Sequence, residues 1–490
     1  MSGRWILAVS LLVLAGGFWC YSRLIKKDSK NAGDLPAKGE RWTGLGQLAA
    51  SGMGITLLIS PSVAIRWGWA PALAACVIGG ILFGAALNLG AACCLTGETS
   101  AKEADPGKER SPAGWKRKTI AFLIWLFAIL AAAAAGHTAA ASWRGFATGE
   151  SGELLRNSVG AAGAASCVIL CVAAAGLGIV CRYRKISLPV KAAAVFLLIC
   201  DAAWLGKTYP IYLGETVWLA VIFLLAFFTG IIPAWVQTRP RGQMLLILEG
   251  IVLAAGCAGI LLGDPRPAAK AITVPDGSLA GLQAFFAIVL WGTVSGFDAA
   301  ALAVSPLRYQ KPEAFKKSAV GSGLLKSFFA VLGLLLSFAL TGADAAAMGL
   351  EEAPQFFAAA AAGLLAEVGI PYDFTIALFL MAGCSFLLAV VDAAVRMGTL
   401  AFREITRRDG KMAGWSVGAA ATILPAFGAA LLARHGVVGV WTAVSFAAVL
   451  LLLPAVGVRL KRQGKKGRRL LVGAVLLAAG ALAAAVLPMR

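Results

Sequence analysis

The sequence predicts an all-α polytopic integral membrane protein of about fourteen transmembrane helices, some of them broken, and three observations carry that prediction. Hydrophobic residues make up 59% of the 490 positions and charged residues only 14%, against roughly 45–50% apolar in an ordinary soluble domain. Apolar runs of about 20 residues, each long enough to cross roughly 30 Å of hydrocarbon as a helix, recur from end to end. Basic residues gather in alternate connecting segments, the bias expected of cytoplasmic loops.

The runs fall at 5–22, 44–65, 71–95, 119–142, 158–181, 187–206, 217–236, 243–262, 281–304, 318–341, 373–395, 413–433, 437–457 and 470–487. The first ends at Cys20-Tyr21, is followed by basic residues and has no small-residue cleavage site, so it reads as a membrane anchor rather than a secretory signal. The second, "GLGQLAASGMGITLLISPSVAI", has Gly at 44, 46, 52 and 54 and Pro61 near its end. The fourth contains "AILAAAAAGHTAAASW" (128–143), almost pure Ala and Gly, which lets helix backbones approach closely in lipid. The ninth runs into "LWGTVSGFDAAALAVSPLRY" (290–309), where Ser295-Gly296 weakens the helix just before a carboxylate, Asp298. Two Gly- or Pro-interrupted spans point to a binding site near the membrane midplane, because freed backbone groups must face protein or a watery cavity. Most connections are short, so a single transmembrane domain over 1–490 is expected, without an appended soluble domain.

The net charge of +20 belongs to the membrane topology and not to a nucleic-acid surface. Segments after odd-numbered spans, with Lys191 just inside the sixth, carry 34 of the 44 Lys and Arg; the N-terminal segment and those after even-numbered spans carry 9. Both chain ends are therefore predicted outside and the basic loops in the cytoplasm, in a multi-pass protein of the cytoplasmic membrane with the lipid bilayer as its partner. Reporter fusions after Lys185, Arg408 and Lys466 should report cytoplasm, and one in the acidic 344–352 loop the outside; an external Lys466 would overturn the orientation.

Neither cysteine nor histidine usage suggests a cofactor or a metal. The ten Cys form no CxxC pair and lie mostly inside spans, as small packing residues. His137 and His435 could in principle ligate a haem together, but a lone buried His is more often hydrogen-bonded packing. Phosphate-loop, HExxH, GxSxG and paired-carboxylate signatures are missing from the sequence, so no enzyme and no catalytic residue is expected.

Ionisable residues inside spans are the better pointers, since each costs a few kcal/mol at mid-bilayer unless paired or facing water. They are Asp201, Glu249, Asp298, Lys326, Asp392 and Arg396. We expect Gly52, Gly54, Ser295, Gly296, Asp298 and Lys326 to line a solute site, where free amides and half-helix N-termini bind a carboxylate. Glu249, Asp392 and Arg396 are expected to couple or gate, Glu249 or Asp298 by taking up a proton. Asp392 and Arg396 share a helix face at i and i+4, equally compatible with a gate or with Asp392 capping a neighbouring helix while Arg396 reaches the headgroups. Asp298 and Lys326 flank the basic 307–318 loop at matching depths, and are expected to face each other within about 4 Å.

Four stretches resemble the carbon starvation protein A family: "ASGMGITLLISPSVAIRWGWAPA" (50–72) with "IGGILFGAALNL" (78–89), "IIPAWVQTRPRGQ" (231–243), "VSGFDAAALAVSPL" (294–307) and "FLLAVVDAAVRMGTLAFREI" (386–405). The resemblance implies a broken-helix transporter that carries peptides or pyruvate with protons. The polar positions depart from the family pattern. Gly46-Gln47-Leu48-Ala49 stands where the family has Gly-His-His-Phe, Leu57 replaces a Pro, Asn88 an Asp, Asp298 a His, Lys326 a Glu and Thr399 an Arg, while Asp392 and Arg396 match. The expected function is secondary transport of a small organic solute, a peptide or pyruvate-like carboxylate. The alternative is a transport-inactive homologue acting as a membrane sensor or interaction subunit.

Overall fold

The computed structural model describes residues 2–28, 68–85, 88–89, 92, 114–148, 154–184, 186–232, 236–267, 270–272, 312–340, 352–406 and 411–432. Within them the chain forms helices α1 (Gly3–Asp28), α2 (Trp69–Ala74) continuing as a π-helix (Ala75–Gly84), α3 (Gly114–Ser142), α4 (Ser158–Tyr183), α5 (Leu188–Thr208), α6 (Glu215–Ile231), α7 (Thr238–Gly263), α8 (Pro312–Leu336), α9 (Ala353–Ala366), α10 (Tyr372–Thr406) and α11 (Lys411–Leu432). Among the described residues eight helices are long and apolar enough to cross a membrane. The chain is a helical, multi-pass membrane protein. The spans expected at 44–65, 281–304, 437–457 and 470–487 lie outside the described residues, and with them Gly52, Gly54, Ser295, Gly296 and Asp298.

Helix α10 is the axis of the bundle. It packs on α3, α4, α5, α6, α9 and α11, and nearly every residue from Thr375 to Val395 is buried. Its closest association is with α3, whose Ala131–Ala135 and Ala139–Ala141 are buried to within a few per cent. Alanine explains the choice of partner, since methyl side chains let two backbones come together where lipid offers no hydrophobic drive. At the periphery α5 leaves Leu188, Leu197 and Trp204 exposed, as a hydrocarbon-facing surface requires.

Three elements depart from the sequence expectation. The span expected at 71–95 is regular only as far as Ala74, then continues as a π-helix of 10 residues. Glycines meet across the crossing there: a Cβ on Gly80 would overlap the Ser327 hydroxyl, and one on Gly323 of α8 would lie 2.9 Å from the Asn88 amide and 3.4 Å from the Gly84 carbonyl carbon. Residues 342–372, expected as a loop, contain α9. Its 14 residues rise only about 21 Å, too short to cross hydrocarbon and so invisible to a search for spans. Lastly, Phe146–Thr148 and Leu154–Arg156 pair as a short antiparallel ladder, a small β element in an otherwise helical set of described residues.

Connections that the basic-residue split places on one side meet one another. Gly3 donates its backbone N–H to Pro265, Gly145 to Leu213, and the Arg144 guanidinium lies 2.8 Å from Glu352 while Lys207 reaches Asp373 at 2.9 Å. Helix α9 covers this end, Gln355 donating to the Ser142 carbonyl and Leu364 packing on Gly259 and Gly263.

The α4–α5 hairpin rests on one glycine. A Cβ on Gly206 would stand 2.6 Å from the Ser166 amide nitrogen and 2.7 Å from the Ala162 carbonyl oxygen, both backbone atoms that cannot yield without parting the helices. Gly206→Leu should therefore destabilise the bundle by about 1–3 kcal/mol or more, seen as loss of monodisperse protein on size exclusion. Gly176→Leu, at a position where an added Cβ would meet nothing within 4 Å, is the matched control and should behave as the parent protein.

Candidate functional site

Buried charge collects where the end of α6, the start of α7 and the last third of α10 converge. Helix α7 begins at Thr238, with Pro240 in its first turn, where the missing N–H costs nothing. One further step around the helix sets Arg241 inward, 8% exposed. There it forms an ion pair with Asp392 of α10, its Nη1 donating to Oδ2. The other carboxylate oxygen, Oδ1, accepts from the Thr229 hydroxyl of α6 at 2.7 Å. One turn further along α10, Arg396 donates through Nη2 to the Thr229 carbonyl at 3.0 Å and to the Thr238 hydroxyl. Thr229 thus contacts both members of the Asp392–Arg396 pair, and the acid's ion-pair partner is Arg241. Two donors, Arg241 Nη2 and Arg396 Nε, are buried without a hydrogen-bond partner among the described residues.

Beside this cluster is a small cavity bordered by Thr229, Gln237, Arg241 and Asp392, with an apolar wall from Ile222, Leu225, Ala226, Leu388 and Val391 and the Cys171 thiol. About 10 Å³ is open to the centre of a water molecule, room for about one water. A solute of several heavy atoms fits only if a wall moves. Gln237 fastens the cavity to α4 by donating to the Cys171 carbonyl at 3.4 Å.

Two other buried charges stand apart. Glu249, 3% exposed, is deep in α7 beside Leu245, Leu248 and Val252 of its own helix, and both its carboxyl oxygens are buried without a hydrogen-bond partner among the described residues. Lys326, 2% exposed, lies on the face of α8 next to Ser327, which meets the π-helix at Gly80. Its expected partner Asp298 lies outside the described residues. Asn88, just past the π-helix, donates to the Ala319 carbonyl at 3.1 Å and so fastens its segment to α8.

Sequence reasoning missed Arg241 and Thr229. It began the eighth span at 243, which left Arg241 in a loop. The signal was present in Thr238-Arg239-Pro240-Arg241, since proline is tolerated in a first helical turn and marks a helix start there.

The profile of the carbon starvation protein CstA family matches residues 2–353. This chain belongs to that family. The matched stretch of the CstA-family protein contains Thr229, Arg241, Glu249 and Lys326, whereas Asp392 and Arg396 follow it on α10. No curated protein sequence matches the chain. Among solved structures, two mutants of the manganese transporter of Eremococcus coleocola are similar at 13% identity and a TM-score of 0.46, over 92% of this chain and 88% of theirs. The same transporter in complex with an aromatic bis-isothiourea compound gives a TM-score of 0.43 at 13% identity, over 92% of this chain and 97% of that one.

Proposed function

We propose that this CstA-family protein is a secondary transporter of small organic solutes of the peptide or pyruvate-like carboxylate class. The observation that carries the reading is the Arg241–Asp392–Arg396 cluster, largely buried where three helices converge against a small cavity. Ionised groups inside a membrane bundle are expensive, and they mark solute or ion pathways. Asp392 and Arg241 are each bound to groups on other helices, so parting α7 from α10 opens the cavity and breaks the pair together. That is the behaviour of a gate.

Proton coupling is assigned to Glu249. A buried carboxyl with no counter-ion or donor among the described residues has one neutralising partner small enough to arrive alone, the proton. The experiment is uptake of labelled pyruvate and dipeptides into proteoliposomes with and without an imposed pH gradient. Gradient-dependent accumulation of either supports the reading, and no uptake of any carboxylate tested overturns it.

A second reading, a transport-inactive homologue serving as sensor or interaction subunit, is favoured by Asn88. Where the resemblance would place an acid, this amide makes a helix-to-helix hydrogen bond and carries no proton. Absence of both uptake and counterflow would support it.

A further inference from the structure

We propose that the cavity at the α6–α7–α10 junction is a binding site for a single carboxylate group, held by the free half of the Arg241 guanidinium, with Asp392 as a built-in competitor. The inference rests on the transport reading and names the chemical group that this site takes.

The guanidinium geometry comes first. An Arg side chain presents parallel N–H groups that match the two oxygens of one carboxylate. Asp392 does not use that match. Its Oδ2 takes only Nη1, because Oδ1 is directed to the Thr229 hydroxyl, and Nη2 of Arg241, a residue that borders the cavity, is left buried with no partner among the described residues. A buried donor without an acceptor is costly, so the empty half of the Arg241 fork, like Arg396 Nε beside it, is an unsatisfied demand in the cluster.

Charge points the same way. Arg396 lies within electrostatic reach of both Asp392 and Arg241, and neither guanidinium gives up its proton in a protein. Two guanidiniums face one carboxylate here, an excess of one positive charge among the described residues. One monovalent anion balances it. A cationic or neutral group does not, and a dianion overshoots. The apolar wall of Ile222, Leu225, Ala226, Leu388 and Val391 suits a short aliphatic body behind that carboxylate.

Thr229 then has a switching role. When a solute carboxylate takes the Arg241 fork, Asp392 keeps its hydrogen bond from the Thr229 hydroxyl and is not stranded. Binding and release of the inner ion pair become one exchange: solute carboxylate in, Asp392 off Arg241.

The test measures binding at equilibrium, separately from transport. The purified full-length protein in lipid nanodiscs is titrated by thermal shift with acetate, pyruvate and, as uncharged isosteres, acetamide and pyruvamide. Acetate and pyruvate should stabilise the wild type and the amides should not; equal stabilisation by acetamide overturns the proposal with no variant needed. Arg241→Lys keeps the charge and loses the fork, so binding should weaken on the order of tenfold. Asp392→Asn removes the competitor and should tighten binding by a similar factor; weaker or equal binding in that variant overturns the competitor role of Asp392. Binding unchanged in Arg241→Lys overturns the site. Pyruvate uptake that persists with no carboxylate binding at this site sinks the inference and leaves the transport reading standing. Carboxylate binding without uptake has the converse effect.

Discussion

Replacing Arg241 by Met should cost about 3–5 kcal/mol of stability, because it strands Asp392 as a buried carboxylate with no ion-pair partner. Asp392 is 9% exposed and its remaining donor, the Thr229 hydroxyl, is neutral. Arg396 is a poor substitute, since its Nη2 is already bound to the Thr229 carbonyl and the Thr238 hydroxyl. The double change Arg241→Met with Asp392→Leu removes both charges and should recover most of the folded, monodisperse protein, because a buried ion pair replaced by apolar groups of similar volume is often neutral in stability. Transport should remain absent in both. Thermal unfolding monitored by size exclusion separates the cases, and a double mutant no more stable than Arg241→Met would show that the pair is not what holds α7 to α10.

Glu249→Gln should leave the fold intact and abolish accumulation driven by a pH gradient. Gln keeps the volume of the side chain and removes its titratable proton, and no hydrogen bond is lost because neither oxygen has a partner among the described residues. For one proton per solute, one unit of imposed pH gradient supplies about 1.4 kcal/mol, so wild-type proteoliposomes should concentrate the solute about tenfold and the variant should not exceed equilibration. Counterflow, which needs no net proton movement, should persist in the variant. Gradient-driven accumulation surviving in Glu249→Gln would remove Glu249 from the coupling role.

Much of the helical scaffold was legible in the sequence, and the reason is local. Whether a segment crosses hydrocarbon depends on about 20 consecutive residues, and α1, α3, α4, α5, α7, α8, α10 and α11 each carry that signal within their own length. Helix α6 stops at Ile231 with 17 residues, shorter than its apolar run suggested, and α9 with 14 lacks the length altogether. The π-helix was hidden for another reason. Glycines at 79, 80 and 84 are compatible with a regular membrane helix, and only the approach of Ser327 from α8 gives the missing side chain of Gly80 a purpose.

By itself the sequence determined the solvent, eight of the spans it predicted, and the short set of charges that the membrane would make expensive, among them Glu249, Lys326, Asp392 and Arg396. These follow from composition and from a period shorter than one helix. Tertiary structure alone decided which charges meet. The spacing of Asp392 and Arg396 brought the two to one face, yet the ion pair of Asp392 is with Arg241, 151 residues earlier in the chain and on a different helix. Hydrogen bonds from Thr229 and Arg241 divide the two oxygens of Asp392 between α6 and α7, and that division leaves Arg241 Nη2 without a partner among the described residues. No periodicity records such a partnership, because it depends on how three helices cross, and that crossing joins residues far apart in the chain.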